Sequence, residues 1–238
     1  MKVKLLAYTP DPEKVVAAAA KLCYSKADID TIMDGLTDEK VTKFLSTLVE
    51  RGHMSPFEHA SFTFGIEDVS RSFLAQMSRH RIASFSVQSQ RYVHDNFGAV
   101  VPEAIKENAG CNEIYKQTIE SLYNIYDGLT ETLQTQYISD GMDAKAAEKK
   151  ATEDARYILP NAACTKMIVT MNARELLHFF NLRCCNHAQW EIRAVADEML
   201  RQVKKVAPTI FKNAGAPCVS GPCPEGKFSC GHPRKGQQ

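Results

Sequence analysis

Between residues 115 and 137, Tyr115, Ile119, Leu122, Tyr126, Leu129, Leu133 and Tyr137 recur at steps of four and three. That spacing lines one face of an α-helix, so the fold must accommodate one long amphipathic helix in the middle of the chain. Packing accounts for this stripe without a functional role. Other segments carry the period of two that marks strands. Residues 2–9 alternate around Val3, Leu5 and Leu6, and 57–66 set Glu58, Ala60, Phe62, Phe64 and Ile66 against His59, Ser61, Thr63 and Gly65. Glu58 falls on the apolar phase, which places it either just beyond the core or against a ligand or partner. Residues 87–93 read as a strand emerging from a basic loop, and 163–170 are apolar and β-branched enough to be another.

Helix signals lie between these strands. Asp11 and Pro12 open one helix, and Thr37 caps a second that Gly52 stops. Residues 70–80 turn Phe73, Leu74 and Met77 inward while Gln76, Arg79 and His80 share another side. An Ala- and Lys-rich helix over 143–157 ends before Pro160. Asn172 with Glu175 three residues on has the pattern of a capping box, and Arg174, His178 and Asn181 then line one helix face. The last helix begins near His187, with Ile192, Val195, Ala196, Met199, Val203 and Val206 as its core stripe. This mixture predicts an α+β fold, a single domain with a mixed central β-sheet flanked by helices. The boundary falls at Pro208: residues 1–208 form the domain and 209–238 a Gly/Pro/Cys-rich tail.

The chain has 238 residues, 44% hydrophobic and 24% charged, the balance of an ordinary globular protein. Its first ten residues hold too short an apolar run for a secretory signal, and no run approaches the ~20 residues that span a bilayer. Eight cysteines without a secretory signal point to free thiols in a reducing compartment, so the expected location is cytoplasmic, with no membrane partner. A net charge of +1 gives no electrostatic case for nucleic acid as a partner.

Charge distribution says more than the sum. From residue 69 to 94 there is no Asp, Glu or Lys, yet Arg71, Arg79, Arg81 and Arg91 occur there. Arginine's planar fork donates two parallel hydrogen bonds, so arginines without lysine or neighbouring acids suggest oriented recognition of a small planar anion such as a nucleotide. The alternative is a solvated face with ordinary salt bridges. Cys184 and Cys185 beside Arg183 raise the possibility of a thiol nucleophile, because neighbouring cations lower a thiol's pKa, but buried small residues explain them more simply. In the tail, Cys218, Cys223, Cys230 and His232 are candidate metal ligands, although their spacing lacks a paired C-x-x-C knuckle.

The stretch 79–92 resembles the flavin-dependent thymidylate synthases. Arg79, His80, Arg81, Ser84, Phe85, Ser89, Arg91 and Tyr92 match that family's signature in register. Further matching blocks are His53 with 55–59, Asn172-Ala173-Arg174, Asn181-Leu182-Arg183 and 187–191. The resemblance implies an enzyme, a methyltransferase that converts dUMP to dTMP in a homotetramer whose active sites are shared between subunits. Its carbon donor would be methylenetetrahydrofolate, and NADPH would act as reductant through FAD. It places FAD on His53, Ser55, Glu58, Arg79, His80, Arg81, Asn172, Arg174 and His178. It places dUMP on Gln76, Arg79, Val87, Gln88, Ser89, Arg91, Arg156 and Arg183, with Arg183 as the catalytic residue that stabilises negative charge on the uracil ring. The family often has Asn and Glu where this chain has Ser86 and Val87, so side-chain contacts there do not carry over; backbone amides of Val87 and Gln88 remain as phosphate donors. Two rivals stay open at this point. One is a cysteine-dependent thymidylate synthase, the other a nucleotide- or RNA-binding module without catalysis.

Overall fold

A computed structural model of the chain describes residues 1–93 and 98–234. In chain order the elements are β1 (Lys2–Tyr8), α1 (Pro12–Leu22), α2 (Ile29–Asp34), α3 (Asp38–Glu50), β2 (Ser61–Ser70), α4 (Arg71–Met77), β3 (Ala83–Val87) and α5 (Glu103–Lys106). Then come α6 (Ala109–Ser139), α7 (Ala144–Ala155), β4 (Cys164–Asn172), α8 (Ala173–Arg183) and α9 (Trp190–Val206). Short 3-10 turns occupy Ser55–His59, Arg156–Ile158, Pro217–Val219 and Gly226–Phe228. None of the helices among the described residues is long and apolar enough to cross a membrane.

The strands form one four-stranded sheet in the order β1-β2-β4-β3. It is antiparallel, not mixed as the alternation of strands and helices suggested. The Thr9 amide donates to the Ser61 carbonyl at 3.0 Å, joining the end of β1 to the start of β2. Ala173 N to Ala60 O (2.8 Å) and Arg71 N to Ala163 O (3.1 Å) bracket β2 against β4 in the same sense. Helices between two strands do not by themselves determine at which end of the sheet the next strand starts, and here each neighbour returns in the opposite direction.

The chain divides into two compact units. The first comprises Met1–Ile66, Gln76–Ser86 and Ile168–Gln238. Its core is aromatic: Phe57, Phe62, Phe64, Phe179, Phe180 and Phe211 are fully buried, and Phe211 meets Phe62 edge-on at 5.5 Å. Ala60, Phe62, Phe64 and Ile66 all face inward, so the predicted phase of this segment is correct although the strand starts later, at Ser61. Pro56 fixes φ and removes a donor, and residues 55–59 coil into a 3-10 turn instead. Thr37 caps α3 as expected, its Oγ1 accepting from Lys40 N at 3.4 Å, and Gly52 ends the segment at φ +69. Asp11 stands at the N-cap of α1 with Pro12 in the first turn, as predicted, but its side chain does not cap. It sits at φ 45 without a side-chain cap bond, and α1 begins at Pro12. Glu13 of α1 accepts from the amides of Thr209 and Ile210, tying down the start of the tail. Residues 29–34 form α2, capped by Asp28, which sequence periodicity was too short to reveal.

The second unit comprises Glu67–Ala75 and Val87–Met167. The long predicted helix is α6, packed on α7 through Tyr123, Tyr126 and Ala155, with Ile119, Ile158 and Leu159 around them. Its buried line runs Tyr123, Tyr126, Thr130; Leu129, assigned to the core stripe by spacing, is exposed, as are Ile114, Ile125 and Ile138. The strand predicted over 87–93 is also corrected. The strand is β3, which ends at Val87, and 90–92 form a turn in which Ser89 Oγ accepts from Arg91 N at 3.2 Å. Such local side-chain bonds compete with a ladder.

Candidate functional site

In the first unit the site grows from the start of α8. Asn172 ends β4 and caps the helix, its Oδ1 accepting from Glu175 N at 2.9 Å. Glu175 therefore occupies the first turn, where the helix dipole favours an acid. Its carboxylate is directed at the loop that follows α4: Oε1 lies 3.2 Å from His80 Nδ1, with both side chains almost fully buried. On the other side of the ring, Arg183 Nε donates to His80 Nε2 at 3.0 Å. A guanidinium can only donate, so Nε2 must be the acceptor and the ring proton sits on Nδ1, pointing at Glu175. Burial lowers the His80 pKa, the Glu175 hydrogen bond opposes that, and the Arg183 charge lowers it again, which keeps the imidazole neutral near pH 7. Arg183 itself is lowered by burial and then by the charge of Arg79. Glu175, His80 and Arg183 thus form one hydrogen-bonded chain. The family resemblance singled out His80 and Arg183, while spacing assigned Glu175 only a capping role.

All nine residues expected to meet FAD belong to this unit. The Ser55–His59 turn packs against α8, and Glu58 pairs with Arg174 at 2.5 Å. Glu58 is therefore a half-exposed ion-pair partner beyond the core, not a strand residue on the apolar face. His53, Ser55, Arg79, Arg81, Arg174 and His178 are exposed, Asn172 is half-buried, and His80 is buried with both ring nitrogens committed inside the protein. His178 approaches His80 edge-on, with ring centroids 6.2 Å apart. Ligand atoms of His80, Glu175 and His178 lie within 4.8 Å of one another, the only such group among the described residues. Arg183 already occupies the Nε2 lone pair and adds a positive charge, so the geometry favours orienting a guanidinium over holding a cation.

Residues assigned to dUMP divide between the units. Gln76, Arg79 and Arg183 belong to the first. In the second, Ser89 and Arg91 share the turn described above, and Arg156 opens a 3-10 turn. The Gln88 amide donates to the Lys166 carbonyl at 3.0 Å, so the expectation that it is free to cradle phosphate is corrected; Val87 closes β3. Arg91 is also not without an acid, because Glu153 of α7 pairs with it at 3.0 Å. The acid-free run along the sequence does not extend to three dimensions. Arg91 Nε and the side-chain Nε2 of Gln90 are nevertheless buried without a hydrogen-bond partner among the described residues. Gln90 was missed by sequence reading, since nothing local distinguishes it from a surface glutamine. Tyr92 is exposed, with Lys149 Nζ 4.6 Å above its ring and its phenol lowered chiefly by a hydrogen bond from that lysine.

The tail is tied to the first unit. Arg234 donates to the Cys184 carbonyl and pairs with Asp197, both at 2.8 Å, and Asn186 donates to the His232 carbonyl at 2.8 Å. A cavity of 300 Å³ lies between the tail and the end of α8, lined by Arg183, Cys185, His187, Cys218, Cys223 and Cys230 among others. Cys218, Cys223, Cys230 and His232 do not come together at metal-ligating distance. All eight cysteines are free thiols. Cys184 is buried and its thiol is pushed far up by burial and then by Asp197, which argues against it as a nucleophile.

Comparison with known proteins identifies the family. Residues 4–209 match the sequence family described as thymidylate synthase complementing protein. The chain is 56% identical over 232 residues to the flavin-dependent thymidylate synthase of Clostridium tetani, covering 97% of this chain and 93% of that protein. It is 51% identical over 234 residues to that of Geobacter sulfurreducens (97% and 94%) and 38% identical over 222 residues to that of Saccharolobus solfataricus (92% and 78%). An arginine motif in register, an arginine hydrogen-bonded to that motif's buried histidine, and similarity along nearly the whole length lead to one conclusion: the chain belongs to the flavin-dependent thymidylate synthase family.

Proposed function

We propose that this protein is an FAD-dependent thymidylate synthase that methylates dUMP with methylenetetrahydrofolate, using NADPH as reductant. The observation that carries the reading is Arg183, a cation held by a neutral buried histidine at the end of α8. Placed against the uracil ring, it stabilises the negative charge that develops as the ring carbon becomes nucleophilic. No enzyme nucleophile is needed, in keeping with the raised thiol of Cys184.

The donor set suits FAD. Three exposed guanidinium groups, on Arg79, Arg81 and Arg174, accompany one exposed carboxylate, Glu58, beside the N-terminus of α8. That excess of positive charge matches a diphosphate, with His53, Ser55, Asn172 and His178 as further polar contacts. Bound there, the flavin supplies hydride chemistry that no side chain can provide. Gln76, Arg79 and Arg183 form one part of the dUMP contact and Ser89, Arg91 and Arg156 another, with active sites shared between subunits of a homotetramer. The exposed apolar residues of α6, Ile114, Ile125, Leu129 and Ile138, support self-association. Light scattering should read about four times the 26.5 kDa chain mass. No acidic or basic excess favours a nucleic-acid partner.

Anaerobic incubation with NADPH, dUMP and methylenetetrahydrofolate tests the reading. The purified protein should be yellow and should yield dTMP. NADPH oxidation and flavin bleaching without dTMP would refute it.

A further inference from the structure

The buried acid of the site has no assigned part in the reaction. Glu175 is 6% exposed and His80 4% exposed, yet the two approach across 95 residues of sequence. A buried carboxylate beside a buried imidazole is costly unless each satisfies the other. The pairing has a consequence at the far side of the ring. An imidazole with its proton on Nδ1 has an acceptor at Nε2, and Arg183 Nε uses it at 3.0 Å. With the opposite tautomer, or with both nitrogens protonated, two N–H groups would face each other and the contact to Arg183 would be lost.

We infer that Glu175 is a positioning residue: by holding the His80 proton on Nδ1 it makes Nε2 the acceptor for Arg183 Nε, which fixes the guanidinium plane and leaves both Nη groups for the substrate. The inference rests on the reading of Arg183 given above. Phe179, edge-on to the imidazole at 4.9 Å, keeps the ring from swinging out of line. The groups facing His80 are Glu175, His178 and Arg183, and only Glu175 offers an acceptor to Nδ1. Losing it frees the ring to exchange tautomers without moving the backbone of α8.

Flavin-loaded Glu175→Ala, Glu175→Leu and Glu175→Gln proteins test this, with the imidazole nitrogens labelled with 15N and His80 assigned by its loss in His80→Asn. The parent should show the Nδ1-protonated tautomer. In Glu175→Ala and Glu175→Leu the fraction of that tautomer should fall and kcat should fall in proportion to it, about twofold where the two tautomers are equally populated; Glu175→Gln, whose amide oxygen still accepts from Nδ1, should keep both. The KM for dUMP should change less than kcat. Glu175→Leu fills nearly the same volume without an acceptor, so it reports even where Glu175→Ala fails to fold. A variant that keeps the parent kcat with the tautomer lost, or loses kcat with the tautomer kept, overturns the inference. Arg183→Ala separates the two levels. If it makes dTMP at the parent rate, the reading of the site fails; if it is inactive while Glu175→Ala and Glu175→Leu match the parent, only the positioning role fails.

Discussion

Two arginines of this protein sit in opposite physical settings. Arg183, in the first unit, contacts a buried imidazole that is in turn held by a buried carboxylate. Arg91, in the second, pairs with Glu153 while their side chains remain 41% and 38% exposed. In the first case the imidazole and the carboxylate are removed from water and Arg183 is partly buried, so a missing partner leaves an unsatisfied buried atom. In the second, water can replace either partner, and the pair contributes little to stability. The difference teaches that one arginine is built for orientation and the other for electrostatic capture. Reaction rate should be sensitive to the first and substrate affinity to the second.

The largest effect expected is that of Arg183→Ala, which should lower kcat by about a hundred- to a thousandfold, the usual consequence of removing one charge-stabilising donor. Stopped-flow or steady-state dTMP formation would measure it. Arg91→Ala should act differently, raising the KM for dUMP about tenfold with a smaller change in kcat, as loss of a charge-assisted bond to phosphate would. Should Arg91→Ala instead abolish kcat at saturating dUMP, the contrast between the two arginines is broken.

A third test uses pH. The His80 pKa is lowered from 6.5, mainly by burial, so the folded protein takes up this proton at a lower pH than the unfolded chain. Above pH 6.5 the group has no effect on the pH dependence of stability. As pH falls below 6.5 the unfolded chain gains the proton first and stability declines until the folded-state value is passed. Denaturation at pH 7.5 and 5.5 should show this loss in the parent, reduced in His80→Asn. The smallest effect belongs to Glu153→Gln, which should change unfolding free energy by no more than about 0.5 kcal/mol because the ion pair it removes is solvated. A larger loss would mean that the Arg91 pair is structural after all.

Much of this site was legible in the sequence because its parts are local. The motif around Arg79, His80 and Arg81, the cap at Asn172 and the run to Arg183 are each contained in a few residues. The phase of 57–66 was also readable, since Ala60, Phe62, Phe64 and Ile66 face the core even though the strand starts late. Where the reading went astray, a local interaction or a distant partner decided the outcome. Ser89 turned a predicted strand into a turn, and Lys166 took the Gln88 amide intended for phosphate.

The sequence by itself determined the family, the basic character of the loop after α4 and the capped helix that follows β4, because each depends on residue type and short-range spacing. Tertiary structure alone decided what those residues contact. Glu175 meets His80 across 95 residues and Arg183 meets it across 103, and no periodicity encodes a pairing at such separations. Which nitrogen of His80 carries its proton, and hence how Arg183 is held, follows only from burial and from which donor and acceptor the fold brings to each side of the ring.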